Sequence, residues 1–406
     1  MDSADVIIIG GGMVGMSLAL ALDAHGLTSH VVDTADLGST LRPAFDGRAS
    51  AIASASARMF EAIGLASTLG EGCAIRAIRV TDGLSPLHLH FDSVDSGGGP
   101  LGYMFENRQL RTAMLEKARS AGGIQIHAPA QAARIDRRDA GVEVTLNNKH
   151  ILRAPLIVAA DGRRSKLRDE AGIRIAGWQY QQTAIVTTIA HAEPHDGVAF
   201  ELFYPTGPFA ILPMPDDEAG RHRSAIVWTV EERDAVATLG LPARALAAEI
   251  GSRMGDFLGA VEMIAPAASY PLGFHHAERY VDARLALIGD AAHGIHPIAG
   301  QGLNMGLRDV AALTEVLVEA ARVGVDLGSP AVLERYQTWR RLDNAMVSAA
   351  TDGLNRLFAM SGRPMALVRR LGLAAVERIP ALKRRLMAEA RGETGDRPKL
   401  LLGELV

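Results

Sequence analysis

The sequence is poor in cysteine, in net charge and in long apolar runs. Cys73 is the one cysteine among 406 residues. A single thiol can form neither an internal disulfide nor a Cys-rich zinc site, so a reducing, cytoplasmic setting is expected. Lys and Arg number 42 against 46 Asp and Glu, a net charge of −4. A nucleic-acid binder carries a basic surplus in a dedicated domain, and the chain as a whole shows none. The charge-free apolar stretch 6–22 could be mistaken for a membrane span. It has 17 residues with four glycines among them, whereas a spanning helix needs ~20. The leader ahead of it is acidic where a secretory leader is basic. His88-x-His90 and His275-His276 lack a converging third ligand, so no metal is expected. Ser165 lies in Asp-Gly-x-x-Ser rather than a nucleophile elbow, and no hydrolase triad order is visible. No internal repeat is present.

What remains is the composition of a folded protein, 48% apolar and 22% charged, with length for two or three domains. Val6-Ile7-Ile8-Ile9 reads as a strand covered on both faces. A glycine turn follows, then a helix over 13–25 closed by Gly26, then a strand at His30-Val31-Val32-Asp33. The turn is Gly10-x-Gly12-x-x-Gly15. Gly10 permits the tight turn, Gly12 lets a pyrophosphate approach the backbone, and Gly15 lets helix and strand pack closely. Asp33, at the end of the second strand, suits a carboxylate binding both ribose hydroxyls of an adenosine. This motif serves NAD and FAD alike. A further helix is expected over 108–121 and a strand over 141–146. Residues 75–91 and 183–230 are rich in short β-like runs and suggest an antiparallel sheet. Residues 311–390 read as helical.

A second motif narrows the cofactor. Leu285-Ala286-Leu287-Ile288-Gly289-Asp290 reads as a buried strand with a carboxylate at its tip. A loop through Pro297 and Gly300-Gln301-Gly302-Leu303-Asn304 then opens a helix. A strand-tip acid can bind polyol hydroxyls, and a glycine-led helix start aims unpaired N–H groups at one anionic region. A flavin needs both, for its ribityl chain and for its reduced, negatively charged ring.

The run from Gly289 to Asn304 resembles the GD motif of FAD-dependent class A aromatic hydroxylases. Asp161-Gly162-Arg163-Arg164-Ser165-Lys166-Leu167-Arg168 matches that family's Asp-Gly-x-x-Ser-x-x-Arg motif. Within the family, Phe45-Asp46-Gly47-Arg48-Ala49 and the run from His296 to Asp309 are similar to the ubiquinone-biosynthesis hydroxylases. The resemblance implies a para-hydroxybenzoate hydroxylase-like α/β fold. Its parts are a Rossmann-like FAD domain of the GR2 type, an inserted antiparallel-sheet substrate domain and a helical C-terminal region. The implied boundaries are 1–73, 100–177 and 275–340 for FAD, 74–99 and 178–274 for substrate, and 341–406 for the tail.

The resemblance also assigns roles. Gly10, Gly12, Gly15 and Asp33 would hold the ADP half of FAD. Arg48 and Arg108 would contact the cofactor, and Asp161 would act through the fold around the pyrophosphate or as a helix cap. Asp290 would bind the ribityl chain. Pro297, Gly300, Gln301, Gly302, Leu303 and Asn304 would border the flavin ring. The implied reaction is a hydroxylation of a polyprenylated phenol or quinol by a flavin C4a-hydroperoxide, with dioxygen as substrate and NAD(P)H as electron donor. A protein base for the phenol is not evident. Tyr204 and His296 are candidates, each with a bland alternative as a packing aromatic and a loop residue. Two other readings stay open: the same chemistry on a soluble aromatic, and a non-catalytic flavoprotein subunit of a membrane complex.

The tail differs in charge. Residues 351–406 carry 11 Lys and Arg against 6 Asp and Glu, whereas the rest of the chain is acidic. Arg369, Arg370, Lys383, Arg384 and Arg385 lie among apolar residues and would suit peripheral contact with an anionic membrane. A solvated helix face packed on the protein is the alternative.

Overall fold

The computed structural model describes residues 2–42, 47–97, 99–296, 300–359, 369, 372–373 and 375–406. Val6–Ile9 is the centre of a parallel sheet. It pairs with Ser29–Val32 on one side and Leu156–Ala159 on the other. Ile124–His127 and Leu285–Leu287 extend the two sides, and Val281–Asp282 adds an antiparallel edge. The three central strands are almost entirely buried, as the apolar runs of Val6–Ile9 and Leu156–Ala159 lead one to expect; Ser29 and His30 are buried with them. Helices Met13–Asp23 and Gln301–Arg322 pack into the same core as this sheet.

A larger sheet faces this unit. Among the described residues it has nine strands. Its centre is built from Ile175–His191, His222–Glu231, Gly207–Met214 and Val198–Tyr204, all antiparallel in sequence neighbours. Ala77–Asp82 joins it in parallel with Val198–Tyr204. That parallel pair arises because 77–92 enters the sheet from an earlier, separate excursion of the chain. Smaller sheets unite Ala49–Ala53, Gly102–Glu106 and Cys73–Ile75, and separately Ala132–Arg138, Gly141–Leu146, Ile151–Ala154 and Asp2–Ser3.

The C-terminal part departs from expectation in three ways. Helix Pro330–Ala359 runs unbroken through residue 340, so the expected boundary at 340/341 falls inside a helix. Arg340, at that boundary, is fully buried and paired with Asp309 and Asp343. The last residues also return to the main core, where Leu400 and Leu401 are buried with Met59 and Phe60. Arg369 is not a free surface cation, because it is buried and paired with buried Asp82 at 3.0 Å. Lys383 is held by Glu377 at 2.8 Å and Asp95 at 3.4 Å. Arg384 and Arg385 are exposed, and Arg370 lies outside the described residues. No helix among the described residues is long and apolar enough to cross a membrane.

Candidate active site

The first glycine turn is built as its spacing requires. Gly10 has φ +111°, and a Cβ there would sit 2.2 Å from the Ala160 carbonyl oxygen. A Cβ on Gly15 would lie 2.0 Å from the Gly10 carbonyl oxygen. Strand and helix can therefore approach only through bare backbone. Gly12 is different: a Cβ there would meet nothing within 4 Å among the described residues, which leaves its backbone open to a ligand. The first amides of the Met13–Asp23 helix have no intrahelical acceptor and point the same way. Asp33 is fixed beside them. Its carboxylate accepts from the N–H of Gly11 at 2.6 Å and of Ala35 at 2.8 Å.

Two cavities share Gly12 and Met13. One, of about 240 Å³, is lined by Asp33, Leu37, Arg111 and Met114. The other, of about 650 Å³, lies between the GD loop and one face of the nine-stranded sheet. Asp290, Gly300, Gly302 and Leu303 form one wall, Arg48, Ser50 and Asn107 another. Ala184, Val186, Ala210, Leu212 and Val227 make most of the sheet wall apolar, with Thr187 and Glu201 among them. This arrangement fits an elongated molecule with a ring system at each end and an anionic waist.

The strand-tip acid is held from behind. His275 Nε2 donates to the Asp290 carbonyl oxygen at 2.8 Å, leaving the exposed Asp290 carboxylate to the cavity. Gly300 caps the Gln301–Arg322 helix in a left-handed conformation, φ +63°. A Cβ on Gly302 would meet nothing within 4 Å among the described residues, as at Gly12. Beneath the Gly289 turn lies fully buried Asp309. It accepts from the Gly289 N–H at 2.9 Å and from His293 Nε2 at 2.6 Å. Its other oxygen accepts from Arg340 Nε at 2.9 Å and Asn344 Nδ2 at 3.0 Å. Burial opposes the charged form, yet His293, Arg340 and Asn344 together hold the Asp309 carboxyl well below the usual range.

Several expected residues lie elsewhere. Asn304 does not border the cavity, because its amide is fully used. It accepts from Ala53 N–H and Ser56 Oγ and donates to the carbonyls of Ala51 and Gly300. It ties the helix start to the Ala49–Ala53 strand. Gln301 begins that helix without lining either cavity described, and Pro297 lies outside the described residues. Arg108 is exposed; Asn107 and Arg111, one helical turn apart, face the two cavities instead. Arg48 does reach the cavity, with its guanidinium 4.5 Å from the Tyr270 ring centre. Asp161 accepts from Lys166 N–H at 2.9 Å at the start of the following helix, while its other oxygen is buried without a partner among the described residues. Arg168 is buried and donates to the Arg163 and Ala291 carbonyls, joining this turn to the GD loop.

Neither base candidate reaches the cavity. The Tyr204 hydroxyl donates to the Arg253 carbonyl oxygen at 2.6 Å, on the sheet face packed against helix Ala243–Met254. His296 is fully buried against the Tyr180 ring, and burial pushes its imidazole down to about 4. It is neutral and has no hydrogen-bond partner among the described residues. Among those residues no group of three His, Cys, Asp or Glu could hold a metal.

A family model described as an FAD binding domain matches residues 3–351. The chain belongs to this FAD-binding family. The ubiquinone hydroxylase UbiL of Rhodospirillum rubrum is 48% identical over 402 residues, covering 98% of this chain and 92% of that protein. The 3-demethoxyubiquinol 3-hydroxylase of Escherichia coli is 35% identical over 396 residues, 96% of this chain and 98% of that protein. The p-nitrophenol 4-monooxygenase PnpA of Pseudomonas putida shares the fold, with a TM-score of 0.79 over 98% of this chain and all of that one at 20% identity. The protein is thus a flavin-dependent monooxygenase with FAD as cofactor.

Proposed function

We propose that this flavoprotein hydroxylates the aromatic ring of a polyprenylated phenol or quinol in ubiquinone biosynthesis, with NAD(P)H as electron donor. The observation that carries the reading is the larger cavity. One wall offers a carboxylate and an open helix N-terminus; the other is a mostly apolar sheet face with small side chains where a ring can lie flat. Bound FAD supplies the passage of electrons from NAD(P)H to dioxygen and of one oxygen atom to the ring.

The chain's own residues bind, orient and exclude water. The open backbone at Gly12 and the Met13 helix receive the pyrophosphate, and Asp33 takes the adenosine ribose. Asp290 accepts from ribityl hydroxyls. The amides following Gly300 favour negative charge on the flavin ring. Arg48 stands at the rim with its charge spread over Tyr270. Ala210, Val227 and Leu212 keep water from the reacting centre, which limits loss of oxygen as peroxide. Mass-spectrometric quinone profiling of a strain lacking the gene tests the reading. A prenylated intermediate one hydroxyl short is expected to accumulate; an unchanged quinone profile would refute it.

A lipophilic substrate has to be collected at a membrane, and the proposal includes peripheral contact there. Ile379, Leu382 and Leu386 are exposed at the start and along one side of helix Pro380–Ala390, with Arg378 and Arg385 beside them. The spacing of three and four makes these apolar residues one stripe. Changing Leu382, Arg385 and Leu386 together to Glu is expected to reduce co-sedimentation with anionic vesicles severalfold. Equal binding by the variant would end this part of the proposal.

A further inference from the structure

The sheet wall of the large cavity carries one residue that its surroundings do not explain. Across the sheet, Val186 faces Val227, Val227 faces Ala210, Ala210 faces Glu201 and Glu201 faces Val80. One carboxyl interrupts a row of small apolar side chains, and it lines the cavity. Glu201 is buried, 8% exposed. No hydrogen bond or ion pair reaches it among the described residues. A buried polar group without a partner costs stability, so its partner is to be sought in whatever fills the cavity.

We propose that the Glu201 carboxyl binds the hydroxyl of the substrate ring and takes its proton during hydroxylation. The inference rests on the aromatic-hydroxylase reading above. In the step, the phenolic O–H bond breaks and a carboxyl O–H bond forms. The electron pair stays on the phenolic oxygen and enriches the ring carbon that receives oxygen. The ring carbon gives its electron pair to one atom of dioxygen, its own C–H bond then breaks with loss of that proton to solvent, and the proton held on Glu201 returns to the phenolic oxygen. The other oxygen atom leaves as water with the two electrons that NAD(P)H supplies through bound FAD.

The electrostatics make the ionised Glu201 carboxylate a stronger base than an ordinary one, working on the alkaline side of neutrality. Burial alone pushes the carboxyl from its ordinary 4.5 up to about 8. No charge contributes. On the adjoining strand Asp82 is paired with Arg369, and Arg79 lies over Phe200. On helix Pro330–Ala359, Asp352 is paired with Arg356. Across the cavity stand Arg48 and Asp290.

The test compares 2-prenylphenol with its methyl ether, which cannot donate. Binding to the FAD-loaded protein is read from the perturbed flavin absorption as pH rises through about 8. The wild type is expected to favour the phenol by about tenfold above that pH, and by less below it, because a charged acceptor binds a hydroxyl more strongly than a neutral one. Glu201→Gln is expected to show a preference that does not change with pH. Its hydroxylation rate is expected to fall about 100-fold or more and to lose its rise with pH. Folding has its own control. The folded protein holds the Glu201 proton up to about 8 while the unfolded chain releases it near 4.5. Wild-type stability therefore falls as pH rises through that window, so Glu201→Gln should melt no lower than wild type at the upper end. A variant that binds, hydroxylates and titrates like the wild type overturns the role of Glu201 alone. A wild type that neither binds nor hydroxylates the phenol overturns the proposal together with the reading it rests on.

Discussion

Asp309→Ala is expected to cost the folded protein about 3–5 kcal/mol, the range for breaking a buried ion pair from one side. The substitution leaves the Arg340 guanidinium, itself fully buried, with Asp343 as its remaining carboxylate. It also leaves the Gly289 N–H and His293 Nε2 without their acceptor. Because Gly289 precedes Asp290, FAD affinity should fall along with stability. Asp309→Asn keeps the volume and an acceptor for Gly289 and should lose less. The double change Asp309→Leu with Arg340→Met should recover much of the stability, since it removes both charges together. Denaturant melts of the three variants, with FAD titrations alongside, check this. An Asp309→Ala protein as stable as wild type would mean that the network does not hold the GD turn.

Gly15→Ala carries the second large effect. Its new Cβ would lie 2.0 Å from a backbone oxygen of Gly10 and 3.1 Å from the Ala160 Cβ. Neither neighbour is a flexible side-chain end, so the helix has to move away from the turn. Overpacking of this kind costs about 1–3 kcal/mol. The displaced helix start is part of the phosphate cradle, so FAD affinity is expected to fall by about tenfold to a hundredfold. Gly12→Ala is the control, because its Cβ meets nothing within 4 Å among the described residues. A loss of flavin in Gly12→Ala with soluble, folded protein would indicate direct ligand approach there. Equal flavin content in Gly15→Ala and wild type would contradict the close-packing account.

Much of the FAD unit can be read from sequence because its signals are local. Val6–Ile9, the glycine turn and Asp33 lie within one βαβ unit, and each residue's role follows from its near neighbours. The strand and helix that flank the GD loop are legible for the same reason. What was missed depends on long-range contacts or on helix phase. Asn304 spends its amide on a strand some 250 positions away, so its motif position suggests cofactor contact while its geometry gives a tie. Arg108 and Asn107 differ by one residue, about 100° of helix rotation, and that rotation decides which of them faces the cavity. Glu201 sits in Phe-Glu-Leu-Phe-Tyr, where both sheet faces are covered and alternation is hidden. The return of Leu400 and Leu401 to the core has no local signal that separates it from an amphipathic tail.

The cavity between Asp290 and the mostly apolar sheet face is the proposed place where an oxygen atom is put on an aromatic ring. The direct measurement incubates the FAD-loaded protein with NAD(P)H, a short-chain prenylated phenol and oxygen-18 gas, and weighs the product. One heavy oxygen atom in the ring product is predicted. Consumption of the reductant with all of the label recovered as hydrogen peroxide or water, and the phenol unchanged, would contradict it.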